Sequence, residues 1–227
     1  MEVRVLDHFK LSNAVIAART CWNSFHKGGN YREPTDNISE VDKDLLQRLL
    51  FKNKHESVFE SIYYCFSIKG IARLCLQELV RSRIASYSVR SSRYTLKELK
   101  SEKPFLEADL DDYTYSYNYD RASKYIEFND EVSSKYQVNQ LELLREEIAD
   151  GVSLDDAKYL LPESYLTDLV WTINVRSLRN FLQLRLSKSA HKAIRSLAKA
   201  VYEAIPAEHK FLFEDIANEN SNVRYRN

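Results

Sequence analysis

The sequence predicts an α+β protein: a single domain, mostly helical, around a small antiparallel or mixed sheet. Three observations carry this prediction. Apolar residues recur at helical spacing over much of the chain, two short segments have the composition of strands, and no stretch resembles a linker, repeat or low-complexity tract. At 227 residues the chain can bury a substantial core without disulfides or metals, so we place residues 1–227 in one domain.

The first third of the chain predicts alternating strands and helices. Val3 to Phe9 alternates as a strand does, and Ser12 is placed to cap a helix that ends near Trp22. After a glycine-containing loop, four leucines at helical spacing predict a second helix; they are Leu45, Leu46, Leu49 and Leu50. Aromatic and β-branched residues over 61–68 predict a second strand, ended by Gly70 before a helix over about 71–83.

The remainder of the chain predicts mostly helix. Residues 107–150 lack proline and glycine and place Leu141, Leu144 and Ile148 at helical spacing. A mixed apolar stretch covers residues 165–173. Helices then follow over about 175–186 and 190–205, and a last helical segment follows Pro206.

Composition excludes several classes of function. Lysine plus arginine equals aspartate plus glutamate at 33 each, so no general field attracts nucleic acid or an anionic membrane, and we expect neither partner. Three cysteines without CxxC spacing argue against disulfides or a structural zinc site, so no metal is expected and a reducing cytoplasm fits best. No signal peptide or apolar run of about 20 residues is present, so the chain should be soluble.

The segment from Arg81 to Tyr94 is the most unusual stretch. It holds four arginines and five serines, with no acidic residue before Glu98. Guanidinium forks match phosphate oxygens, and serine hydroxyls with a loop backbone add donors that approach a small anion closely, so the segment indicates a phosphate-binding loop. A solvated basic loop and an RNA-binding arginine tract are the alternatives; the second is weakened because the chain has no further basic excess.

A second group of polar residues lies in the predicted helix over 175–186. Helical periodicity puts Asn174, Leu178, Phe181, Leu182 and Arg185 on one face, so Arg185 stands where an apolar stripe would carry leucine. An arginine there needs an anionic or carbonyl-rich partner. That partner is either a bound ligand or a distant acidic side chain in a structural ion pair.

Arg176 and Asn180 lie four residues apart on roughly the opposite face of that helix and indicate a second polar contact. A weaker signal is His55-Glu56-Ser57, before the second strand, because histidine is a common acid or base in catalysis and Ser57 can bond phosphate or cap a helix. With four glycines in the chain and no glycine-rich phosphate motif, side chains must bind any phosphate.

Together these segments resemble the flavin-dependent thymidylate synthases. The family signature, Arg-His-Arg, seven residues, then Ser, stands here as Arg81-Ser82-Arg83, seven residues, then Ser91. The resemblance extends to HESxFE at 55–60 and to NxRSLxNFLxLR at 174–185, so three ordered motifs span most of the chain.

The resemblance implies a homotetramer of α+β domains with FAD and dUMP bound where subunits meet. The positions that match FAD contacts are Ser57, Arg81, Ser82, Arg83, Val89, Asn174, Arg176 and Asn180. The positions that match or adjoin dUMP contacts are Glu78, Arg81, Val89, Arg90, Ser91, Ser92, Arg93, Lys158 and Arg185.

The implied reaction converts dUMP, methylenetetrahydrofolate and NADPH to dTMP, tetrahydrofolate and NADP, with FAD carrying the hydride. Arg185 matches the residue against the uracil ring, where its charge favours loss of the N3 proton and pushes electron density towards C5. His55 is the second catalytic candidate. No cysteine nucleophile is needed, and Ser91 is assigned to dUMP binding because no base adjoins it.

Three positions depart from the family pattern. Ser82 replaces the central histidine of the signature, Lys158 replaces a phosphate-binding arginine, and Glu78 stands where some relatives carry glutamine. Lysine keeps the charge but loses the bidentate fork. Ser82 raises the alternative that this family member binds flavin and nucleotide but catalyses poorly.

Overall fold

The first strand and helix form where the sequence predicts them, at Glu2–His8 (β1) and Leu11–Cys21 (α1). The computed structural model describes residues 1–109 and 114–216. Ser12 as helix cap is wrong: it lies inside α1, and its hydroxyl accepts the Thr35 N–H at 2.9 Å. The Leu11 N–H at the start of α1 instead donates to the Asp36 carboxylate at 3.0 Å. A carboxylate distant in sequence therefore takes over part of the capping.

The remaining elements confirm the α+β class. The further strands are Tyr63–Ala72 (β2), Ala85–Val89 (β3), Leu106–Asp109 (β4), Thr114–Tyr117 (β5) and Leu166–Asn174 (β6). The further α-helices are Glu40–Gln47 (α2), Arg73–Leu79 (α3), Ser92–Thr95 (α4), Lys97–Lys100 (α5), Tyr119–Ala122 (α6), Ser134–Ala149 (α7), Val175–Arg185 (α8) and Lys192–Ala204 (α9). A π-helical turn, Arg48–Lys52, continues α2, and 3-10 segments occupy Phe25–Lys27, Glu56–Ser61, Ala157–Leu160 and Ala207–Phe213.

The larger sheet has four strands in the order β1-β2-β6-β3. Backbone hydrogen bonds join the end of one strand to the start of its neighbour: Phe9 to Tyr63 and Val175 to Ile62, both at 2.9 Å, and Arg90 to Asp168 at 2.8 Å. Neighbouring strands therefore run antiparallel, which settles the choice between an antiparallel and a mixed sheet. The second sheet is the β4-β5 hairpin, with Leu106 opposite Tyr117.

The chain forms two compact units, each made of separated segments. The first comprises Met1–Ile68, Leu79–Ser88 and the chain from Val170 onwards; the second comprises Lys69–Glu78 and Val89–Leu169. In the first unit α8 packs its apolar face on the sheet. The ring centroid of Trp171 lies 5.7 Å from that of Phe66 and 5.1 Å from that of Phe181. These buried rings fix the position of α8.

The second unit has its own core around α7. Leu141, Leu144 and Ile148 are buried there against Phe105 and Leu96, as the helical spacing of the sequence predicts. The prediction that helix dominates residues 107–150 is wrong at its beginning, because β4 and β5 form a hairpin and α7 starts only at Ser134. The helix prediction rested on the absence of glycine and proline. The Thr-Tyr-Ser-Tyr sequence of β5, however, is rich in residues that favour strands.

Gly70 does not end the second strand. Its φ of +68° is readily adopted by glycine, and β2 continues through it to Ala72. The Gly70 N–H donates to the Asp168 carboxylate at 2.8 Å. Among the described residues, Cys21, Cys65 and Cys75 form no disulfide. Among the described helices, none combines the length and the apolar composition that crossing a membrane requires.

Candidate functional site

The arginine and serine segment is only partly a loop. Residues 85–89 form β3, α4 follows at Ser92, and the Arg81-Ser82-Arg83 triplet lies in the connection that precedes the strand. The expectation of a continuous loop is therefore wrong, because β3 pairs with the distant strand β6. The Tyr87 hydroxyl donates to the carbonyls of Ser82, at 2.7 Å, and Leu79, at 3.0 Å. This contact holds the triplet at the start of the strand.

The helix α8 presents the second group of polar residues. Asn174 is buried as its N-cap, and the carboxamide oxygen accepts the Ser177 N–H at 2.8 Å. The predicted apolar stripe is confirmed, because Leu178, Phe181 and Leu182 are all buried. Arg185, the last residue of the helix, is partly buried at the end of that stripe.

The two motifs line one cleft in the first unit, with a volume of about 930 Å³. Residues named from both motifs meet there; they are Arg81, Ser82, Arg83, Arg176, Asn180 and Arg185. Among the described residues that line this arginine cleft, Glu56 is the single acidic side chain. A pocket of this size lined by several guanidinium groups is suited to an organic anion of the size of a nucleotide.

Arg176 is oriented by acidic residues to which the sequence motifs assign no role. Its guanidinium donates to the Glu60 carboxylate at 2.6 Å and lies 3.8 Å from that of Glu56. Both acids belong to the HESxFE motif, so that motif supports the cleft through ion pairs. Arg176 and Asn180 do share an exposed face of α8, as predicted.

His55 and Ser57 are not among the described residues that line the cleft. His55 is exposed in the N-cap position of the 3-10 segment, with its ring centroid 5.6 Å from that of Trp22. Ser57 is exposed inside that segment, so the capping alternative for Ser57 is wrong. The geometry leaves both residues at the surface.

Arg179 is the buried arginine of α8, and the sequence patterns did not single it out. Its side chain is 4% exposed and donates to both oxygens of Asp215, at 2.9 and 2.6 Å, and to the Leu212 carbonyl. The guanidinium carbon also lies 5.7 Å from the centroid of the Phe51 ring. The apolar spacing of α8 gives no signal for this ion pair, since its partner lies 36 residues away.

In the second unit, two predicted phosphate-binding cations converge on one carboxylate. Arg93 pairs with Asp155 at 2.7 Å, and Lys158 pairs with the same Asp155 at 2.6 Å. Hydrogen bonds from Lys158 and Arg93 lower the pKa of Asp155. Arg90 instead lies between Glu98, at 3.2 Å, and Asp168, at 3.4 Å.

The other predicted substrate residues of the second unit lie close to these cations in sequence. Val89 ends β3 and is exposed, Ser91 is the exposed N-cap residue of α4, and Ser92 begins that helix. The Ser92 carbonyl accepts the Thr95 hydroxyl at 3.2 Å. Glu78 lies in the last turn of α3 and is partly buried.

A network of titratable groups in the first unit was also not predicted. Asp36 accepts hydrogen bonds from Lys10 at 2.9 Å and contacts His209 Nε2 at 2.8 Å and His8 Nε2 at 3.1 Å. Tyr64 OH lies 2.7 Å from His209 Nδ1. Burial would raise the pKa of Asp36, but the bonds from His209 and Lys10 lower it well below its usual range, and burial lowers the pKa of His209. Although His8, Asp36 and His209 could ligate a metal ion, the Lys10 ammonium already balances the carboxylate.

Known proteins resemble this chain over nearly its whole length. A family model described as "Thymidylate synthase complementing protein" matches residues 4–209. The flavin-dependent thymidylate synthase of Wolinella succinogenes is 49% identical over 214 residues, which cover 94% of this chain and 97% of that protein. The enzyme of the same name from Campylobacter jejuni is 47% identical over 216 residues, covering 94% and 96%.

A solved structure agrees in fold. The crystal structure of thymidylate synthase X from Helicobacter pylori, with FAD and dUMP, matches with a TM-score of 0.81 and 43% identity, and the match covers 95% of this chain and 98% of that one. The family model spans both units of the chain, and its relatives match almost end to end. This chain therefore belongs to the flavin-dependent thymidylate synthases and is an enzyme of that family.

Proposed function

We propose that this enzyme methylates dUMP to dTMP, with methylenetetrahydrofolate as carbon donor and NADPH-reduced FAD as hydride carrier. The observation that carries the proposal is the arginine cleft, where the Arg81-Ser82-Arg83 triplet and α8 meet. Both belong to motifs of the family, and the structure of the Helicobacter pylori relative contains FAD and dUMP.

The residues of the cleft fit a flavin dinucleotide. Arg81 and Arg83 supply positive charge for its phosphates. Arg176, which pairs with Glu60 and Glu56, adds N–H donors, and Ser82 and Asn180 add neutral polar groups. We assign these five residues to FAD. By resemblance we add Ser57, Val89 and Asn174, of which Asn174 acts through the start of α8 that it caps. When bound, FAD would supply the hydride chemistry that no side chain offers.

For dUMP we assign the phosphate to Arg93 and Lys158, with Ser91 and the backbone of Arg90 and Ser92 as further donors. The two cations already converge on one carboxylate, so they can converge on one phosphate. By resemblance we place Glu78, Arg81 and Val89 at the same substrate. Lys158 supplies one direct ion pair here where an arginine would supply a fork.

Arg185 is the proposed catalytic residue. A fixed guanidinium against the uracil ring would stabilise the negative charge that develops as the N3 proton leaves and electron density moves to C5. At the C-terminal end of α8 its side chain is partly buried, and a charge that is partly shielded from water acts more strongly. His55 stays a candidate on the basis of its motif alone.

We further propose that residues 1–227 act as one functional domain, in the cytoplasm, within a homotetramer whose subunits jointly complete each site. The support is the resemblance, together with a family match that extends through both compact units. Size-exclusion chromatography with light scattering tests the assembly. A monomer that turns over dUMP would contradict it.

Two measurements test the proposed function. The purified protein should show an FAD absorption spectrum, and holoenzyme given methylenetetrahydrofolate and NADPH should release tritium from dUMP labelled at C5. A flavin spectrum without tritium release would favour the alternative of a poorly catalysing family member. A colourless protein whose affinity for RNA falls steeply with salt would favour an RNA-binding use of the arginine segment.

Ser82→His is expected to tighten FAD binding or raise turnover. Ser82 lines the cleft at the signature position where the family carries an imidazole. A flat aromatic ring against the flavin adds a contact worth about 0.5–1.5 kcal/mol, or about two- to tenfold in affinity. Flavin titration and single-turnover oxidation of the reduced enzyme measure both effects. Ser189→His, in the same cleft but outside the signature, is the control. If Ser82→His changed neither FAD affinity nor turnover, the replacement of the signature histidine by Ser82 would be functionally neutral.

A further inference from the structure

We propose that Asp155 occupies the phosphate position of the dUMP site in the unliganded enzyme, so that substrate binding must displace it. The inference rests on the proposed function, because it takes Arg93 and Lys158 as the residues that bind the dUMP phosphate. It assigns a role to a residue that neither the sequence motifs nor the resemblance singled out.

The geometry around Asp155 is that of an anion held by its receptor. Arg93 Nε contacts Asp155 Oδ1 at 3.2 Å, and a terminal nitrogen of Arg93 contacts Asp155 Oδ2 at 2.7 Å. The guanidinium therefore binds the carboxylate in a bidentate manner. Lys158 Nζ adds a third contact, at 2.6 Å to Oδ1. A phosphate offers the same pattern of adjacent oxygens, and the same fork and ammonium recognise it.

Charge favours the exchange of the carboxylate for a phosphate. Two cations face one carboxylate, so the Arg93-Lys158-Asp155 cluster keeps a net charge of +1 within its own contacts. A nucleotide phosphate carries between one and two negative charges near pH 7 and therefore neutralises the cations more completely. Arg90 differs, because two acids, Glu98 and Asp168, already surround it.

The cluster is also accessible and loosely held. The side chains of Arg93 and Asp155 are 59% and 52% exposed, and that of Lys158 is 34% exposed. An incoming anion can reach all three, and exposed ion pairs of this kind contribute little free energy each. Asp155 can therefore be displaced by the substrate phosphate, and it balances part of the charge of the two cations while the site is empty.

Asp155→Asn is the test, with Asp156→Asn as a matched control. The control removes the same charge from the next residue, whose carboxylate accepts the Ser153 hydroxyl at 2.6 Å. Calorimetric titration of each holoenzyme with dUMP, deoxyuridine and inorganic phosphate separates the contribution of the phosphate group. We expect Asp155→Asn to bind dUMP and phosphate about two- to tenfold more tightly, since the Asp155 carboxylate no longer competes with the phosphate for the two exposed cations.

Deoxyuridine, which lacks the phosphate, should bind Asp155→Asn and wild-type enzyme equally, and Asp156→Asn should match wild type for all three compounds. Unchanged or weaker binding of dUMP and phosphate by Asp155→Asn would overturn the inference and make Asp155 a residue that merely positions the cations. Failure of wild-type enzyme to bind dUMP would contradict the proposed function instead. In that case the inorganic phosphate titration still decides whether Asp155 competes for the cluster.

Discussion

Arg185→Ala is expected to lower the rate of dTMP formation by about two to three orders of magnitude while FAD binding persists. Removing one group that stabilises charge in a transition state typically costs about 10²- to 10³-fold in rate. Flavin binding should survive because Arg81, Arg83 and Arg176 line the same cleft and are retained. The fold should also tolerate the change, since Arg185 ends α8 and the buried stripe before it is untouched.

The measurement combines tritium release from labelled dUMP with the flavin spectrum and the assembly state of each variant. Gln183→Ala is the control, because Gln183 lies on α8 and lines the same cleft without carrying a charge. Its activity should stay near that of wild type. If Arg185→Ala lost flavin and assembly together, Arg185 would be a structural residue and the ion-pair alternative would replace the catalytic assignment.

The parts of the fold that local periodicity determines could be predicted from the sequence. In α8, Leu178, Phe181 and Leu182 recur at the helical period, and these positions are buried in the structure. In α7 the same argument identified Leu141 and Leu144. Such patterns need no knowledge of which element packs on which.

The predictions of secondary structure are wrong where the conformation of a segment depends on a partner far away in the sequence. The strand β3 looks like a loop by composition and becomes a strand because it pairs with β6, far along the chain. Gly70 was expected to end β2, yet it adopts a positive φ inside the strand and donates to Asp168, 98 residues away. Propensity alone carries no information about such partners.

The candidate site divides in the same way. Motif positions identified six residues of the arginine cleft, because arginine, serine and asparagine can donate to an anion and stand here in the order of the family motifs. The acidic partners of several arginines, inside and outside this cleft, were not predicted. Glu60, Asp155 and Asp215 become partners of Arg176, Arg93 and Arg179 only once the chain has folded, and no spacing rule connects them.

Arg179→Ala is expected to destabilise the protein by about 3 kcal/mol, because breaking a buried ion pair leaves its partner without compensation. Asp215 would keep its charge but lose the guanidinium, and the Leu212 carbonyl would lose its donor. Asp215 is 26% exposed and regains some hydration, which places the effect at the lower end of the range for buried pairs. For a chain of this length the loss corresponds to a fall in Tm of roughly 6–12 °C.

Arg176→Ala is the matched control on the same helix, because its pairs with Glu60 and Glu56 are half exposed and should contribute at most about 1 kcal/mol.

The dependence of protein stability on acidic pH gives a second measure of the Arg179–Asp215 pair. Burial would raise the pKa of Asp215, but the hydrogen bond from Arg179 lowers it below the ordinary 3.8. A depressed carboxyl pKa contributes stability above the unfolded value and loses it as pH falls through the folded value, so the gap between wild type and Arg179→Ala should narrow below about pH 4. Urea denaturation at neutral and acidic pH measures both. Equal stability losses in the two variants would contradict the prediction that the buried Arg179–Asp215 pair contributes more than the exposed pairs of Arg176.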